Sequence, residues 1–229
     1  MEMINVNGKE YQIDLILKDG GRHATARFKD GKIVIRIPKW VPKQERARMY
    51  DYLKRDSIRL IETGRWKERK KLRLVDGTVL NILGKEYAIK IIQGNRWRLR
   101  IEGNTIVASG SDCAEDGAAK KLGKLFLPEI KQRVKILNAR YFGFNIKSIS
   151  MRNTKTIWGS CSRDGKISLS TRLLFVPPEI LDYVIIHELA HARIKNHNKS
   201  FWGLVAKAMP DHMERKSWLR KNSMEIPVI

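Results

Sequence analysis

The sequence predicts an α+β fold in which a duplicated unit of strands and a helix precedes a domain built around a helix with two histidines. Three observations lead to this prediction. The tetrapeptide Gly-Lys-Glu-Tyr occurs at residues 8–11 and again at 84–87. After each copy the same elements follow in the same order: an alternating apolar run, further short strands and a helical stretch. Near the end of the chain, His187 and His191 stand four residues apart within a segment of helical periodicity.

Each copy is predicted to form a small β-meander followed by a helix. In the first copy, apolar residues alternate from Tyr11 to Leu17, which is typical of a half-buried strand. Alternating runs at 22–28 and 33–37, separated by Asp30-Gly31, then lead into a helix at 43–62. The second copy repeats these elements at 87–91, 96–101 and 106–108, with its helix at 115–137. A four-residue match also arises by chance, but the matching order of elements favours duplication.

The chain changes character near Asn138. A long helix is predicted at 124–141, where Pro128 marks either a kink or the first turn. Strands follow at 146–151, 156–161 and 167–169, and Asp164-Gly165 indicates a hairpin between the last two. The next helix is predicted at 179–195, with Pro178 close to its first position. The predicted organisation is therefore a first meander and helix at 1–74, a second copy at 75–137, and a third domain at 138–229.

The composition is strongly basic. The chain has 46 Lys+Arg against 24 Asp+Glu, which gives a formal net charge of +22. Such a surface attracts polyanions, so nucleic acid is an expected partner, although a solvated lysine-rich surface explains the same count. The basic segment at 65–73, which includes Trp66, is interpreted either as a phosphate-binding segment or as a solvated linker.

Cysteine usage and apolar runs indicate the compartment. Cys113 and Cys161 are too few and too far apart for a disulfide framework or a CxxC zinc motif. The first residues are interrupted by Glu2, Lys9 and Glu10, so they do not resemble a signal peptide. The longest apolar runs are too short to cross a bilayer. We therefore expect a cytoplasmic protein that does not act at a membrane.

The segment His187-Glu188-Leu189-Ala190-His191 predicts a metal site. Positions four apart lie on one face of a helix, so both imidazoles can ligate one zinc ion. Glu188 is then placed to take a proton from a metal-bound water. The helical pattern around the motif and the concentration of three of the chain's five histidines between 187 and 197 make a chance match improbable.

A catalytic zinc site needs a third protein ligand and keeps one position for water. His197 follows His191 by six residues, so the helix must end and turn to bring it back to the metal. Asn196 is the expected turn residue, because Asn tolerates the left-handed conformation that ends helices. Glu214, on a later helix, is the alternative third ligand. Asp211 is expected either to orient a ligand imidazole or to cap the helix after Pro210.

These residues belong to a longer pattern. The chain resembles the YgjP-like metal-dependent hydrolases, which are akin to zincin metallopeptidases of the SprT and Wss1 type. The resemblance covers roughly residues 140–220. It rests on Trp158–Ser162 (WGSCS), residues 167–178 (ISLSTRLLFVPP) and 181–191 (LDYVIIHELAH), Asn196-His197-Asn198, Phe201-Trp202, Pro210-Asp211 and Trp218-Leu219, together with the second Gly-Lys-Glu-Tyr.

The resemblance implies a zincin-like domain made of a backing helix, a small antiparallel sheet, the metal helix and a closing helix. It assigns metal ligation to His187, His191 and His197 and the role of catalytic base to Glu188. The chain departs from the family pattern at two points. Ile157 stands where the family has Arg, and Ser170-Thr171 stand where it has Asn-Trp. Both departures are expected to line the substrate cleft.

The function predicted from these residues is that of a metallopeptidase with one Zn²⁺ ion, whose bound water is activated by Glu188. Two alternatives stay open. A nucleoside triphosphate pyrophosphohydrolase would use the same water on phosphorus, and the basic charge suits its polyanionic substrate. A nucleic-acid-associated protease or binding protein would use the basic surface to hold DNA or RNA.

Overall fold

The computed structural model describes residues 2–29, 31–64, 72–110, 115–154 and 156–227. The chain divides into two units that are each packed internally, Met1–Arg69 and Lys70–Ile229. Most of the basic segment predicted at 65–73, including Trp66, lies outside the described residues, and so does Cys113. The interpretations of that segment and of Cys113 therefore stay predictions.

The first unit is a four-stranded sheet with one helix packed on it. β1 (Glu2–Val6), β2 (Lys9–Lys18), β3 (Thr25–Lys29) and β4 (Lys32–Pro38) precede α1 (Lys43–Glu62). The strand order is β1-β2-β4-β3. β1 pairs antiparallel with β2 and β3 pairs antiparallel with β4, but β2 and β4 are parallel.

This order differs from the simple meander that the sequence analysis expected, because β4 lies between β2 and β3. Burial is the physical reason. Ile33, Ile35 and Ile37 of β4 are fully buried, so the most apolar strand occupies an interior position of the sheet. β3 carries the exposed Arg27 and takes the edge, where a charged side chain remains solvated.

The second unit begins with a sheet of the same design. β5 (Val79–Ile82), β6 (Lys85–Ile92), β7 (Arg98–Glu102) and β8 (Thr105–Ser109) are ordered β5-β6-β8-β7. The hairpins β1-β2 and β5-β6 both turn through two residues with positive φ, at Asn7-Gly8 and at Leu83-Gly84. Such turns match the twist of antiparallel strands. The two copies therefore share their strand order and their first turn as well as the tetrapeptide.

α2 (Glu115–Tyr141) backs this second unit. The two helical stretches predicted at 115–137 and 124–141 are one continuous helix, and Pro128 lies inside it rather than in its first turn. Buried α2 side chains join a core that also holds residues of the second sheet and of the helix that contains His187; they are Leu122, Phe126, Ile130 and Val134. The predicted segments 75–137 and 138–229 thus share one hydrophobic core.

The rest of the second unit is a small sheet followed by four helical elements. β9 (Ser148–Arg152), β10 (Gly159–Cys161) and β11 (Lys166–Ser170) are ordered β10-β11-β9. β10 and β11 form the predicted hairpin, whereas β11 and β9 are parallel, so the sheet is mixed. A 3₁₀ helix (Thr171–Phe175), α3 (Pro178–Arg193), α4 (Lys199–Ala208) and α5 (His212–Asn222) complete the unit.

The predicted α+β class is confirmed: small sheets combine with five α-helices along the described residues. No helix among those residues is both long enough and apolar enough to span a membrane.

Candidate metal centre

α3 brings His187, Glu188 and His191 to one place. Pro177 occupies the N-cap position and Pro178 begins the helix, as the sequence predicted. Arg133 of α2 holds the second turn of α3 through a bidentate ion pair with Asp182, with an Nη2–Oδ2 distance of 2.8 Å. Several α3 side chains are buried in the core of the unit and fix the rotation of the helix; they are Leu181, Val184, Ile185 and Leu189.

The turn after α3 returns His197 to the helix. α3 ends at Arg193, two residues before the predicted end, because Ile194 is extended with φ −122 and ψ 112. The Asn198 amide then donates to the Asn196 carbonyl at 2.9 Å, which closes a tight turn around His197. The prediction that Asn196 adopts the left-handed conformation is wrong, since among the described non-glycine residues only Asn7 and Leu83 have positive φ.

Three imidazole nitrogens converge at this turn. The Nε2 atoms of His187 and His197 are 3.1 Å apart, and those of His191 and His197 are also 3.1 Å apart. The three candidate ligand atoms all lie within 4.8 Å of one another. Within the described ranges this is the one group of three or more His, Cys, Asp or Glu side chains with such geometry, and the alternative ligand Glu214 is not part of it.

The geometry and the protonation of the cluster both fit a metal ion. Zinc–nitrogen bonds of about 2.0–2.1 Å in a tetrahedral site place neighbouring nitrogens about 3.3 Å apart, close to the two separations of 3.1 Å that His197 makes with His187 and His191. Burial, together with the neighbouring His191 and His197, lowers the pKa of His187 to about 3. Burial likewise lowers the pKa of His191. Both imidazoles are therefore neutral at neutral pH, as metal ligands must be.

A backbone contact fixes the orientation of one imidazole. His191 Nδ1 lies 2.9 Å from the Ile194 carbonyl oxygen, which can only accept a hydrogen bond. Nδ1 must therefore carry the proton, and the lone pair is on Nε2, which faces the other two histidines. The extended Ile194 thus both ends α3 and orients His191.

Glu188 is buried beside this cluster, with only 5% of its surface exposed. Burial raises the pKa of its carboxyl group to about 7, against an opposing effect of Lys195. Gly159 of β10 lies directly against it: a Cβ added at Gly159 would be 2.6 Å from Glu188 Oε1 and 2.7 Å from Cγ. The space that the carboxyl group occupies therefore exists because residue 159 has no side chain.

Aromatic and basic side chains line the other side of the histidines. The Trp202 ring stacks on His197 on one side, with centroids 5.7 Å apart, and on the buried His212 on the other. Lys216 Nζ lies 4.2 Å from the centre of the Trp202 ring. From the sequence, Trp202 was named only as part of the family resemblance, and Lys216 was not singled out; Gly159 was named only within the segment Trp158–Ser162. Their positions depend on how α4, α5 and β10 pack, which no local pattern encodes.

Three other residues named from the sequence are not part of the histidine cluster. Asp211 is at the N-cap position of α5, but its side chain accepts no capping hydrogen bond and instead accepts one from Arg215 Nε at 2.9 Å. Glu214 is an exposed residue in the first turn of α5. Cys161 is half-buried in β10, and burial raises the pKa of its thiol, so it is a neutral thiol rather than a nucleophile.

The two departures from the family pattern meet at one small pocket. Ile157 and Ser170 both line it, together with Arg152, Thr154 and residues 159–160 and 168–169. Its volume is ≈ 50 Å³. Gly159 lines this pocket as well as touching Glu188, so the pocket lies next to the candidate metal centre.

The chain matches a family of metallopeptidase domains over residues 4–222, nearly its whole length. That family is the YgjP-like metallopeptidase family, and the chain belongs to it. The resemblance noted in the sequence is therefore confirmed, and the protein is a metal-dependent hydrolase of a peptidase family. No curated protein sequence matches the chain.

Solved metallopeptidase structures show weak similarity. Abylysin of Pyrococcus abyssi, a metallopeptidase zymogen, is 24% identical with a TM-score of 0.37, covering 42% of this chain and 98% of its own. Jannalysin of Methanocaldococcus jannaschii, also a zymogen, is 23% identical with a TM-score of 0.37, covering 41% and 96%. Wss1 of Saccharomyces cerevisiae is 19% identical with a TM-score of 0.34, covering 57% and 92%. Membership of the family rests on the family match alone.

Proposed function

We propose that the protein is a zinc-dependent peptidase in which His187, His191 and His197 hold one zinc ion and Glu188 is the general base. The convergence of three Nε2 atoms beside a buried carboxyl group carries this proposal. An all-imidazole set of three ligands suits zinc and leaves its fourth position open. The bound ion would lower the pKa of a water molecule and polarise the scissile carbonyl.

Glu188 moves the protons of the reaction. Its carboxylate accepts a proton from the attacking water and returns it to the departing amine. A base with a pKa near the working pH performs both transfers, and burial brings Glu188 into that range. Gly159 keeps the carboxyl group in position from the side of β10, and His191 is oriented by the Ile194 carbonyl.

β10 offers a binding edge for the substrate. Among the described residues β10 pairs only with β11, so its other edge has free backbone donors and acceptors. An extended peptide binds such an edge by strand addition, with main-chain hydrogen bonds that do not depend on sequence. Because Gly159 of β10 contacts Glu188, a peptide on this edge passes next to the base. Extended segments of polypeptide are therefore the proposed substrates.

The substitution Glu188→Gln tests the mechanism. We expect the variant to bind one equivalent of zinc, like the wild type, and to lose at least about 1,000-fold in kcat, because the amide accepts no proton. Zinc is measured by elemental analysis of the purified protein, and turnover with a peptide library read by mass spectrometry. Peptide cleavage at the wild-type rate by this variant would overturn the assignment of the base.

The substitution His197→Ala tests the third ligand, with Glu214→Ala as the matched control. We expect the His197 variant to lose bound zinc at a chelator concentration that leaves the wild type and the Glu214 variant loaded. Loss of zinc in the Glu214 variant alone would show that Glu214, and not His197, is the third ligand. Release of pyrophosphate from nucleoside triphosphates, with no peptide cleavage, would instead favour a nucleotide hydrolase.

A further inference from the structure

The outer face of the small sheet carries a row of hydroxyl groups. Ser160 of β10 is opposite Ser168 of β11, which in turn is opposite Ser150 of β9. Arg152 is opposite Ser170 one pleat further along. Side chains alternate between the faces of a strand, so these residues share one face, and Gly159 faces Glu188 on the other. Arg152, Ser160, Ser168 and Ser170 of this face line the pocket of ≈ 50 Å³.

From this face we propose that the pocket is a substrate subsite that binds the side-chain carboxylate of an acidic residue, with Arg152 as the specificity-determining group. This inference rests on the proposed peptidase function and on peptide binding along β10. The proposed substrates are extended polypeptides with a glutamate at one fixed position. This preference would come from the pocket and not from the metal ligands or the base.

The polar groups of the pocket are available to an anion. Within the described part of the chain, Arg152 forms no hydrogen bond or ion pair, and neither do the hydroxyl groups of Ser160 and Ser168. No acidic side chain lines the pocket. A guanidinium group without a partner favours a carboxylate or a phosphate, and hydroxyl donors add hydrogen bonds to either.

The size of the pocket limits what it holds. About 10–15 Å³ of such volume accommodates one water molecule. A volume of ≈ 50 Å³ therefore accommodates a few atoms, as in a carboxylate, and excludes an aromatic ring. The apolar lining is limited to Ile157 and Leu169, so a large apolar side chain finds little to bury against.

The position of β10 brings a substrate side chain to this pocket. A peptide added to the free edge of β10 continues the sheet, and its residue opposite Ser160 has its Cβ about 4.5–5.5 Å from that of Ser160, on the same face. The peptide lies three strand spacings from β9, or about 14 Å. Both β10 and β11 lie between the peptide and β9. Arg152 and the substrate side chain must therefore both extend to meet, so the longer glutamate meets the guanidinium more readily than aspartate.

The first test profiles cleavage by the wild type and then measures single peptides. We expect cleaved peptides to be enriched in Glu at one fixed position. Replacing that Glu by Gln is expected to raise KM about tenfold and leave kcat unchanged, since the contact is the same in the ground and transition states. Peptides with Asp or phosphoserine at this position separate a preference for carboxylate from one for phosphate.

Variants of Arg152 assign the preference to the pocket. In Arg152→Gln the Glu-to-Gln ratio of KM is expected to fall below about twofold, and Arg152→Glu is expected to favour Lys at the same position. Arg163→Gln is the control, because it removes the same charge from the exposed turn between β10 and β11, outside the pocket. A Glu preference that survives in Arg152→Gln, or one that Arg163→Gln also removes, would overturn the proposal.

A binding measurement separates this proposal from the proposed function. Fluorescein-labelled library peptides with Glu or Gln at each position are titrated against the zinc-loaded Glu188→Gln variant, and anisotropy reports binding without turnover. Tighter binding of Glu peptides that disappears in the double variant with Arg152→Gln supports the pocket even if the wild type cleaves none of them. Peptide cleavage with no acidic preference in either assay overturns the pocket and leaves the peptidase standing.

Discussion

The contact between Glu188 and Gly159 couples the candidate base to the sheet. Glu188 is buried, so its carboxyl group has little room to choose another position. The space that the carboxyl group occupies depends on Gly159, because a Cβ at that position would lie only 2.6–2.8 Å from three atoms of the Glu188 side chain. Any side chain at 159 must therefore displace either the carboxyl group or β10.

The substitution Gly159→Ala is predicted to impair catalysis more than folding. The displaced carboxyl group should lower kcat/KM about 100-fold, because a shift of about 1 Å in a catalytic group has an effect of that order. Overpacking should lower the free energy of unfolding by about 1–3 kcal/mol. Peptide turnover, thermal unfolding and zinc content are measured on the same preparation, and zinc content is expected to stay at the wild-type level.

Gly203→Ala is the matched control for that prediction. Gly203 lies inside α4, is exposed, and has open space where a Cβ would be added. Alanine is the better helix former by about 0.5–1 kcal/mol, so this variant should be slightly more stable and fully active. Equal losses of activity in the two variants would contradict the role given to Gly159.

The same contact shows what the sequence predicts about a site at the residue scale. His187, Glu188 and His191 were predictable because one helix fixes their spacing. His197 was predictable as a candidate by counting ligands, whereas the turn that delivers it was predicted with the wrong conformation at Asn196. Gly159 and Lys216 were not predictable, since their proximity to the site arises from packing between elements distant in sequence.

At the scale of elements, α4 holds the third histidine. Asn198 is the N-cap of α4, and its side chain accepts a hydrogen bond from the Phe201 amide at 3.0 Å. Asn198 directly follows His197, and its backbone amide also closes the tight turn around that histidine. The helix cap and the turn therefore fix the same short segment of backbone. Phe201 in turn packs against His187, with ring centroids 4.9 Å apart. The start of α4 therefore orients one proposed ligand, His197, and supports another, His187.

Asn198→Ala is predicted to weaken metal binding by loosening this start. Loss of the cap should lower the free energy of unfolding by about 1 kcal/mol and the Tm by about 2–4 °C. Zinc affinity, measured by competition with a chromophoric chelator, should fall as well. Asn198→Asp keeps an N-cap acceptor and should restore most of both losses. An Asp variant as impaired as the Ala variant would mean that the cap is not the cause.

Two side-chain hydrogen bonds connect α1 to β1 at Glu2. Lys54 and Tyr50 of α1 both donate to the Glu2 carboxylate, and these hydrogen bonds lower the pKa of Glu2 below its ordinary value of 4.5. The folded state therefore favours the ionised form. Its stabilising effect is complete above the unfolded-state pKa and disappears as the pH falls through the lowered pKa.

Hydrogen exchange of α1 amides between pH 6 and pH 3 measures this effect in the intact chain. Protection should fall with pH in the wild type by at most about 1 kcal/mol, because the ion pair is partly solvated. In Glu2→Gln the protection of the α1 amides should be lower at pH 6 than in the wild type, and it should depend less on pH. A wild-type dependence that persists unchanged in this variant would assign it to other carboxylates.

At the scale of the whole molecule, most elements and the β10-β11 hairpin were predictable, whereas the parallel strand pairs were not. The helix at 43–62 and most of the strands follow from local periodicity, whereas β1 and β5 were not predicted. The parallel pairs β2-β4, β6-β8 and β9-β11 join strands that are not consecutive. In each case the more deeply buried strand lies inside the sheet, which depends on the total burial of apolar surface rather than on any local pattern.

The basic charge is the remaining property of the whole molecule, and its expected partner is nucleic acid. The net charge is +22, and α2 presents four exposed lysines at helical spacing on one face: Lys120, Lys124, Lys131 and Lys135. We expect non-specific binding of duplex DNA whose affinity falls steeply with salt, because each neutralised phosphate contributes about −0.9 to the slope of log K against log salt.

Replacing the four lysines by glutamine should reduce the magnitude of that slope by about one for each lysine that contacts a phosphate. Fluorescence anisotropy between 50 and 200 mM salt, a range of about fourfold, measures both slopes. Absence of binding at the lowest salt would rule out nucleic acid as a partner, and an unchanged slope in the variant would place the contacts away from α2.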